Sequence, residues 1–368
     1  MTAQENPFKF GTVVDGDFFT DRTQELPKVQ QMLSGHNHLV MISPRRYGKT
    51  SLLYKAIRQM NRPAVRVNLQ MAISAQNLAA LLLRSFFTVH PWERLKDAIK
   101  KFRVIPTLTY NPTTNDFAVS FGTGTTGSVA LEDVLTLMNE KSDPSKRLIV
   151  VFDEFQEIAN FEPGTDKLLR ATMQLHENIN YVFMGSQESM MTEMFESVKS
   201  PFFHFGAFIQ LKKIPYDDFM EFLSQRLNPI RSNQSREDAE EILRLTRCHP
   251  FYTQQLAAGF WDLCRREAGN AMVSTAASEI MRNLSAVYAS VWSKLPQAQK
   301  RILEVLSRSE PLSSIRDYPV SSVYSAISRM KKEGLVVRED GFELEDPFFA
   351  LWIRKEQDAA AQGLSSLS

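Results

Sequence analysis

An α/β fold, with a parallel sheet covered by helices on both faces, is what this sequence predicts, and three observations predict it. The first is the stretch 39–53: an apolar run from Leu39 to Ile42 reads as a buried strand, S-P-R-R-Y-G-K-T (43–50) as a loop, and Ser51 onward as a helix. The second is R-L-I-V-V-F (147–152), a continuous apolar run that ends on Asp153 and Glu154. The third is the alternation of short apolar runs with helical periods between residues 39 and 211, which is how a parallel sheet with crossover helices is written.

Segment 43–50 fits the phosphate-binding loop pattern G-x-x-x-x-G-K-[ST], except that Ser43 replaces the first glycine. Pro44, Arg45, Arg46, Tyr47, Gly48, Lys49, Thr50 and Ser51 are therefore the expected nucleotide-binding segment. Gly48 lets the backbone turn tightly, so that N–H groups and the helix N-terminus point at phosphate oxygens. Lys49 supplies a point charge for the β- and γ-phosphates, and the Thr50 hydroxyl can ligate Mg²⁺. At position 43 a small residue suffices to start the loop. The bland alternative, a chance match in a basic turn, is opposed by the strand before it and the helix after it.

A strand that runs into two acids suits a metal-assisted site. Asp153 is expected to hold Mg²⁺, directly or through water, and Glu154 to polarise an attacking water as the catalytic base. The alternative is an acidic N-cap on the next helix.

The other elements follow in order. Thr20 or Asp21 is a candidate cap for a helix carrying Leu26, Val29 and Leu33. It is either a surface helix on the sheet or the element that sets Phe19 and Arg22 beside the nucleotide base. Residues 64–69 alternate as a second strand, and 77–89 and 92–102 read as helices. Residues 104–121, with the turn cluster N-P-T-T-N (111–115), read as an inserted β-hairpin. G-T-G-T-T-G (122–127) is a connector, since no Lys-Thr follows it. Helices at 131–139, 168–176 and 188–195 separate strands at 181–187 and 207–211. Ser186 or Gln187 either senses the γ-phosphate and orients water or simply ends a strand.

From Pro215 the strands cease, and helices at 217–227, 236–246, 251–267 and 275–295 make a helical lid. Two shorter helices (296–307, 321–332) and a hairpin around Asp340-Gly341 follow in the order of a winged helix. The expected domains are a core over 1–212, a lid over 213–295, a winged helix over 296–356 and a polar, frayed tail over 357–368.

Composition narrows the function. Lys plus Arg total 43 against 42 Asp plus Glu in 368 residues, a balance that does not advertise nucleic acid or an anionic membrane. Cys248 and Cys264 sit in no metal-ligand spacing and read as reduced thiols. The N-terminus has no signal-peptide pattern, and no apolar run approaches the ~18 residues that span a bilayer. A cytoplasmic protein is expected.

Over nearly its whole length the chain resembles the archaeal-type P-loop ATPases of the STAND/AAA+ group. The matching stretches are N-P-F-K-F-G (6–11), F-F-T-D-R (18–22), P-R-R-Y-G-K-T-S (44–51), V-F-D-E-F (151–155), G-S-Q-E-S-M (185–190), H-P-F-Y-T-Q-Q-L (249–256) and D-P-F-F-A-L-W (346–352). The resemblance implies a nucleotide-binding core, a helical lid and a C-terminal winged helix, with Phe19 and Arg22 at the base and His249 and Pro250 approaching the nucleotide from the lid. Two departures stand out. Relatives carry Gly-x-Pro where this chain has Cys248-His249-Pro250, and many place an arginine finger where 197–208 offers only Lys199, a charge without the planar fork.

The expected function is a slow Mg-ATP-dependent switch with an unidentified protein partner, a monomer with ADP or an oligomer set by nucleotide. A DNA-handling protein and a scaffold that never turns ATP over are the alternatives. Residues 296–356 hold ten Lys/Arg against ten Asp/Glu, which weakens the DNA reading, although Arg329, Lys331 and Lys332 cluster on one helix.

Overall fold

Continuous apolar runs form the centre of the sheet, because a parallel strand covered on both faces has no solvent side to mark with polar residues. The computed structural model describes residues 5–20, 22–111, 116–122, 126–267 and 271–365, and the chain divides into two units. One comprises Thr23–Ser43 and Lys49–Leu211; the other comprises Met1–Arg22, Pro44–Gly48 and Lys212–Ser368.

The sheet unit begins with α1 (Glu25–Ser34), β1 (Leu39–Ile42), α2 (Lys49–Met60) and β2 (Ala64–Asn68). It continues with α3 (Ala75–Phe87), α4 (Trp92–Ile99), β3 (Thr107–Asn111), β4 (Asp116–Ser120), α5 (Gly127–Lys141), β5 (Leu148–Asp153), α6 (Thr165–Met173), β6 (Ile179–Gly185), α7 (Glu188–Glu196) and β7 (Ala207–Gln210). Five parallel strands lie in the order β2-β5-β6-β1-β7. Every residue of β1, β5 and β6 is buried, whereas β2 alternates and leaves Arg66 half-buried between Val65 and Val67. The expected insertion is an antiparallel pair, β3 with β4; its turn, 112–115, and the connector residues 123–125 lie outside the described residues.

Helices dominate the other unit: α8 (Tyr216–Arg231), α9 (Ser235–Thr246), α10 (Pro250–Arg266), α11 (Val273–Lys294), α12 (Gln297–Ser307) and α13 (Val320–Glu333). The hairpin β8 (Val336–Arg338) with β9 (Phe342–Leu344) and the helix α14 (Pro347–Ser365) complete it. Its core joins α8–α10 to α12–α14 through Phe219, Trp261, Leu303 and Phe348.

Two expectations are corrected. Thr20 does not cap α1: the N-cap is Gln24, without a side-chain bond, and the Thr20 hydroxyl instead accepts from Gln254 Nε2 at 3.0 Å. Asp21 lies outside the described residues. The segment after Glu356 is not a frayed tail but the continuation of α14 to Ser365. That helix starts well because Asp346 Oδ1 accepts from the N–H groups of Phe348 (2.8 Å) and Phe349 (3.1 Å), an N-terminal cap, and it packs Phe348, Phe349 and Trp352 into the core.

Candidate functional site

The carboxyl ends of β1, β5 and β6 carry the chemistry of the sheet unit, the edge where open α/β sheets bind ligands. β1 ends at Ile42, level with Gly185 at the end of β6. Ser43 follows and is fully buried. Its carbonyl accepts from Lys49 Nζ at 2.8 Å and its hydroxyl lies 3.2 Å from the same ammonium. Serine at the first loop position is thus more than a small residue, since it gives Lys49 a second oxygen. Lys49 is 7% exposed and opens α2, with Thr50 and Ser51 in the first turn.

Between these anchors the loop needs unusual backbone. Gly48 has φ +89° and open space where a side chain would start, so its requirement is conformational. Arg46 holds φ +65° without being glycine, the kind of local strain found at functional loops.

β5 delivers the acids. Glu154 sits at φ 53°, ψ 49°, left-handed, and makes no capping bond to the 3-10 turn after it, which removes the N-cap alternative. Its Oε2 accepts from Gln156 Nε2 at 2.6 Å, Ser186 Oγ at 2.7 Å and Ser186 N at 3.2 Å. Burial opposes the charged form, but the bonds from Gln156 and Ser186 and the charge of Lys49 outweigh it and hold this carboxyl below its usual range. Gly185 makes the approach possible: a Cβ there would lie 2.3 Å from Met191 Cγ and 2.7 Å from Gln156 Oε1. Asp153, 7% exposed, accepts from Glu154 N at 3.1 Å with Oδ1 and from the Arg66 guanidinium with Oδ2. The Thr50 hydroxyl and the Asp153 carboxylate are hard oxygens, the donor type that Mg²⁺ takes from a protein.

The centre of the loop is gripped within the helical unit. Tyr47 is 1% exposed, donates from its hydroxyl to Glu339 Oε1 at 3.0 Å and meets the His249 ring edge-on at 4.9 Å. Its carbonyl accepts from Arg22 Nη2 at 3.0 Å, while Arg22 Nη1 reaches Lys212 O at 2.9 Å. Arg46 donates to Tyr252 Oη at 3.1 Å and lies over the Phe251 ring; Tyr252 donates to Glu345 Oε2 at 3.0 Å.

His249 caps α10, accepting from Phe251 N at 3.2 Å with Nδ1, and Pro250 occupies the first turn, where a missing N–H costs nothing. Its Nε2 is 3.3 Å from Glu345 Oε1 but not aligned for a hydrogen bond. Arg247 and Cys248, at φ 52° and 56°, set the turn before it. The left-handed backbone at position 248 is one that glycine adopts without strain.

The expected residues fall into two groups. Ser43, Lys49, Asp153, Glu154 and Ser186 share the strand ends, with Thr50 and Ser51 on α2. Arg22, Arg46, Tyr47, His249 and Pro250 cluster in the helical unit. Of the remainder, Pro44 and Phe19 are half-buried, and Arg45 and Lys199 are exposed. Sequence reasoning missed Arg66, Gln156, Glu339 and Glu345, and met Tyr252 only within the stretch H-P-F-Y-T-Q-Q-L. Only Arg66 left a signal, as the charge in the alternating run A-V-R-V-N-L.

Comparison with known proteins bears on the family and the fold. The family described as an ATPase domain predominantly from Archaea matches residues 19–256. No curated protein matches the chain. Among solved structures, the Walker-type ATPase of Pyrococcus abyssi is similar over 92% of this chain and 97% of its own, at 18% identity and a TM-score of 0.66. The Aeropyrum pernix ORC2 protein, in its ADPNP-ADP complexes, is similar over 96% of this chain and 99% of its own, at 14% identity and a TM-score of 0.56. These likenesses establish a P-loop α/β fold.

Proposed function

The chain belongs to the family of ATPase domains found predominantly in Archaea, a P-loop ATPase of the AAA+-like group, and from that premise we propose a Mg-dependent, slowly hydrolysing nucleotide switch. One observation carries the reading: Glu154, on a strained backbone, is held by Ser186 and Gln156 within the field of Lys49.

In this reading Lys49 and the N–H groups at the start of α2 bind the β- and γ-phosphates of ATP. Thr50 and Asp153 would hold Mg²⁺, which when bound would supply positive charge against the phosphates. Glu154 orients and polarises the attacking water. Its lowered proton affinity keeps it ionised at neutral pH, so its contribution is a fixed acceptor more than a strong base. Ser186 positions Glu154, which turns the strand end into part of the machinery. The loop centre, gripped by Arg22, His249 and Tyr252, is where bound nucleotide is felt by a helical lid (213–295) and a winged helix (296–356). ADP would favour a monomer and ATP an assembly with a second copy or a protein partner, in the cytoplasm.

Glu154→Gln keeps the shape and loses the charge, so ATP should stay bound while phosphate release falls by about 100-fold. Asp153→Asn should weaken Mg-dependent binding as well. Wild-type phosphate release from Glu154→Gln would assign the orienting of water to another group.

A second reading, duplex DNA binding through α12, α13 and the β8–β9 hairpin, is favoured by exposed Arg329 and Lys332 on α13. It requires binding that weakens steeply with salt, and a duplex titration at two salt concentrations tests it.

A further inference from the structure

Arg66 is a charge at the third position of β2, a strand whose neighbouring residues, Val65 and Val67, are buried. Its register partner on β5 is Val151, while Asp153 pairs with Asn68, so the guanidinium reaches two positions along the neighbouring strand to donate to Asp153 Oδ2. Its other terminal nitrogen donates to Tyr54 Oη at 3.3 Å, and the group lies 5.5 Å from the Tyr54 ring centroid. Tyr54 belongs to α2, the helix that Lys49 and Thr50 open. One side chain therefore ties the acid of β5 to the helix of the phosphate loop. Arg66 is 31% exposed at its side chain and Asp153 only 9%, so the carboxylate depends on this partner for much of its charge compensation.

We propose that Arg66 is a positioning residue that competes with Mg²⁺ for the Asp153 carboxylate and thereby sets the Mg²⁺ concentration at which nucleotide binds. The inference rests on the reading of Asp153 as the metal-binding acid. The physics is simple. A guanidinium and a divalent cation cannot both sit close to one carboxylate without mutual repulsion, which is strong where water is scarce. Mg²⁺ binding must then displace or loosen the Arg66 ion pair, and Tyr54, a ring and a hydroxyl at hand, gives the guanidinium somewhere to stay. Removing the charge should make Mg²⁺ bind more readily while costing stability without metal, because Asp153 is left buried and unpaired.

The experiment is a Mg²⁺ titration of the full chain at a fixed concentration of a fluorescent ATP analogue, with melting temperatures measured in chelator. In Arg66→Gln the half-saturating Mg²⁺ concentration should fall about five- to tenfold and the metal-free melting temperature should drop. Arg66→Lys, which keeps the charge, should move the Mg²⁺ midpoint back toward wild type. Tyr54→Phe, which removes a resting place for the displaced guanidinium, should raise the Mg²⁺ midpoint by about twofold or less. A purely structural role would lower the melting temperature and leave the Mg²⁺ midpoint where it was; that result, in Arg66→Gln or, if it does not fold, in Tyr54→Phe, would overturn the proposal. Wild-type nucleotide binding indifferent to Mg²⁺, or an Asp153→Asn variant with an unchanged Mg²⁺ midpoint, would instead overturn the reading of Asp153 on which it rests.

Discussion

At the strand ends of the sheet unit, Glu154 accepts three hydrogen bonds from Ser186 and Gln156 and Asp153 is paired with Arg66. On and beside the β8–β9 hairpin of the helical unit, Glu339 and Glu345 instead accept from the phenols of Tyr47 and Tyr252. The same functional group is used in two ways. Cations and multiple donors keep a carboxylate ionised and aimed, which is what water activation and metal binding need. A phenol gives one directional bond and stays neutral; burial, reinforced by the neighbouring carboxylates, pushes the Tyr47 and Tyr252 hydroxyls far above their usual range. The first arrangement suits chemistry, the second suits holding a loop. The segment 43–50 belongs to both, its ends to the sheet unit and its centre, Pro44–Gly48, to the helical one.

The largest effect is expected at the lysine of that segment. Lys49→Ala removes the buried ammonium that Ser43 orients. ATP affinity should fall more than about 100-fold, because a charge-assisted bond to phosphate disappears and the loop loses order with it. Equilibrium nucleotide titration is the check, and retained affinity would dissolve the distinction between the two carboxylate groups.

Acid should separate the units next. His38 and His176 pack around Tyr181 in the sheet unit, His176 Nδ1 lying 2.6 Å from the Tyr181 hydroxyl. Burial lowers each histidine from 6.5 to about 4. Below 6.5 the unfolded chain takes up protons that the folded chain refuses. Their contribution is therefore complete above pH 6.5 and is lost as the pH falls toward 4, with a slope approaching about 1.4 kcal/mol per pH unit for each. Thermal unfolding of His176→Gln between pH 7 and pH 4.5 should show a shallower loss than wild type; parallel curves would count against this assignment.

Smaller effects should come from the loop centre. Tyr47→Phe deletes only the bond to Glu339 and should cost about 1–2 kcal/mol of stability, read from denaturant unfolding. His249→Ala removes the cap of α10 and the ring against Tyr47, and should change the ratio of ATP to ADP affinity a few-fold while the fold survives at a lower melting temperature. An unchanged ratio in His249→Ala would leave that cluster structural and give the sensing to Glu154 and Ser186 alone.

The phosphate loop and the strand ending in Asp153-Glu154 were legible because each is local: a run of apolar residues, a turn that needs glycine and a lysine at fixed spacing are all written within a dozen residues. The five strands, the inserted hairpin and the helices up to α13 followed from the same periodicity. Sequence misjudged the end of the chain, since the polar residues after Glu356 look weak by themselves, while α14 is fixed by Asp346 and by Phe348 and Trp352 in the core.

Other features were decided by pairings that no spacing encodes. The strand order places β6 between β5 and β1, and that is what carries Ser186 to Glu154. Arg66 reaches Asp153 across 87 positions of sequence, and Tyr47 reaches Glu339 across 292. The sequence by itself determined the candidates for phosphate chemistry, because the geometry of a loop and its flanking helix is local. Tertiary structure alone decided which partners charge, aim and hold them, because hydrogen bonds and ion pairs act over a few ångströms of space regardless of distance along the chain.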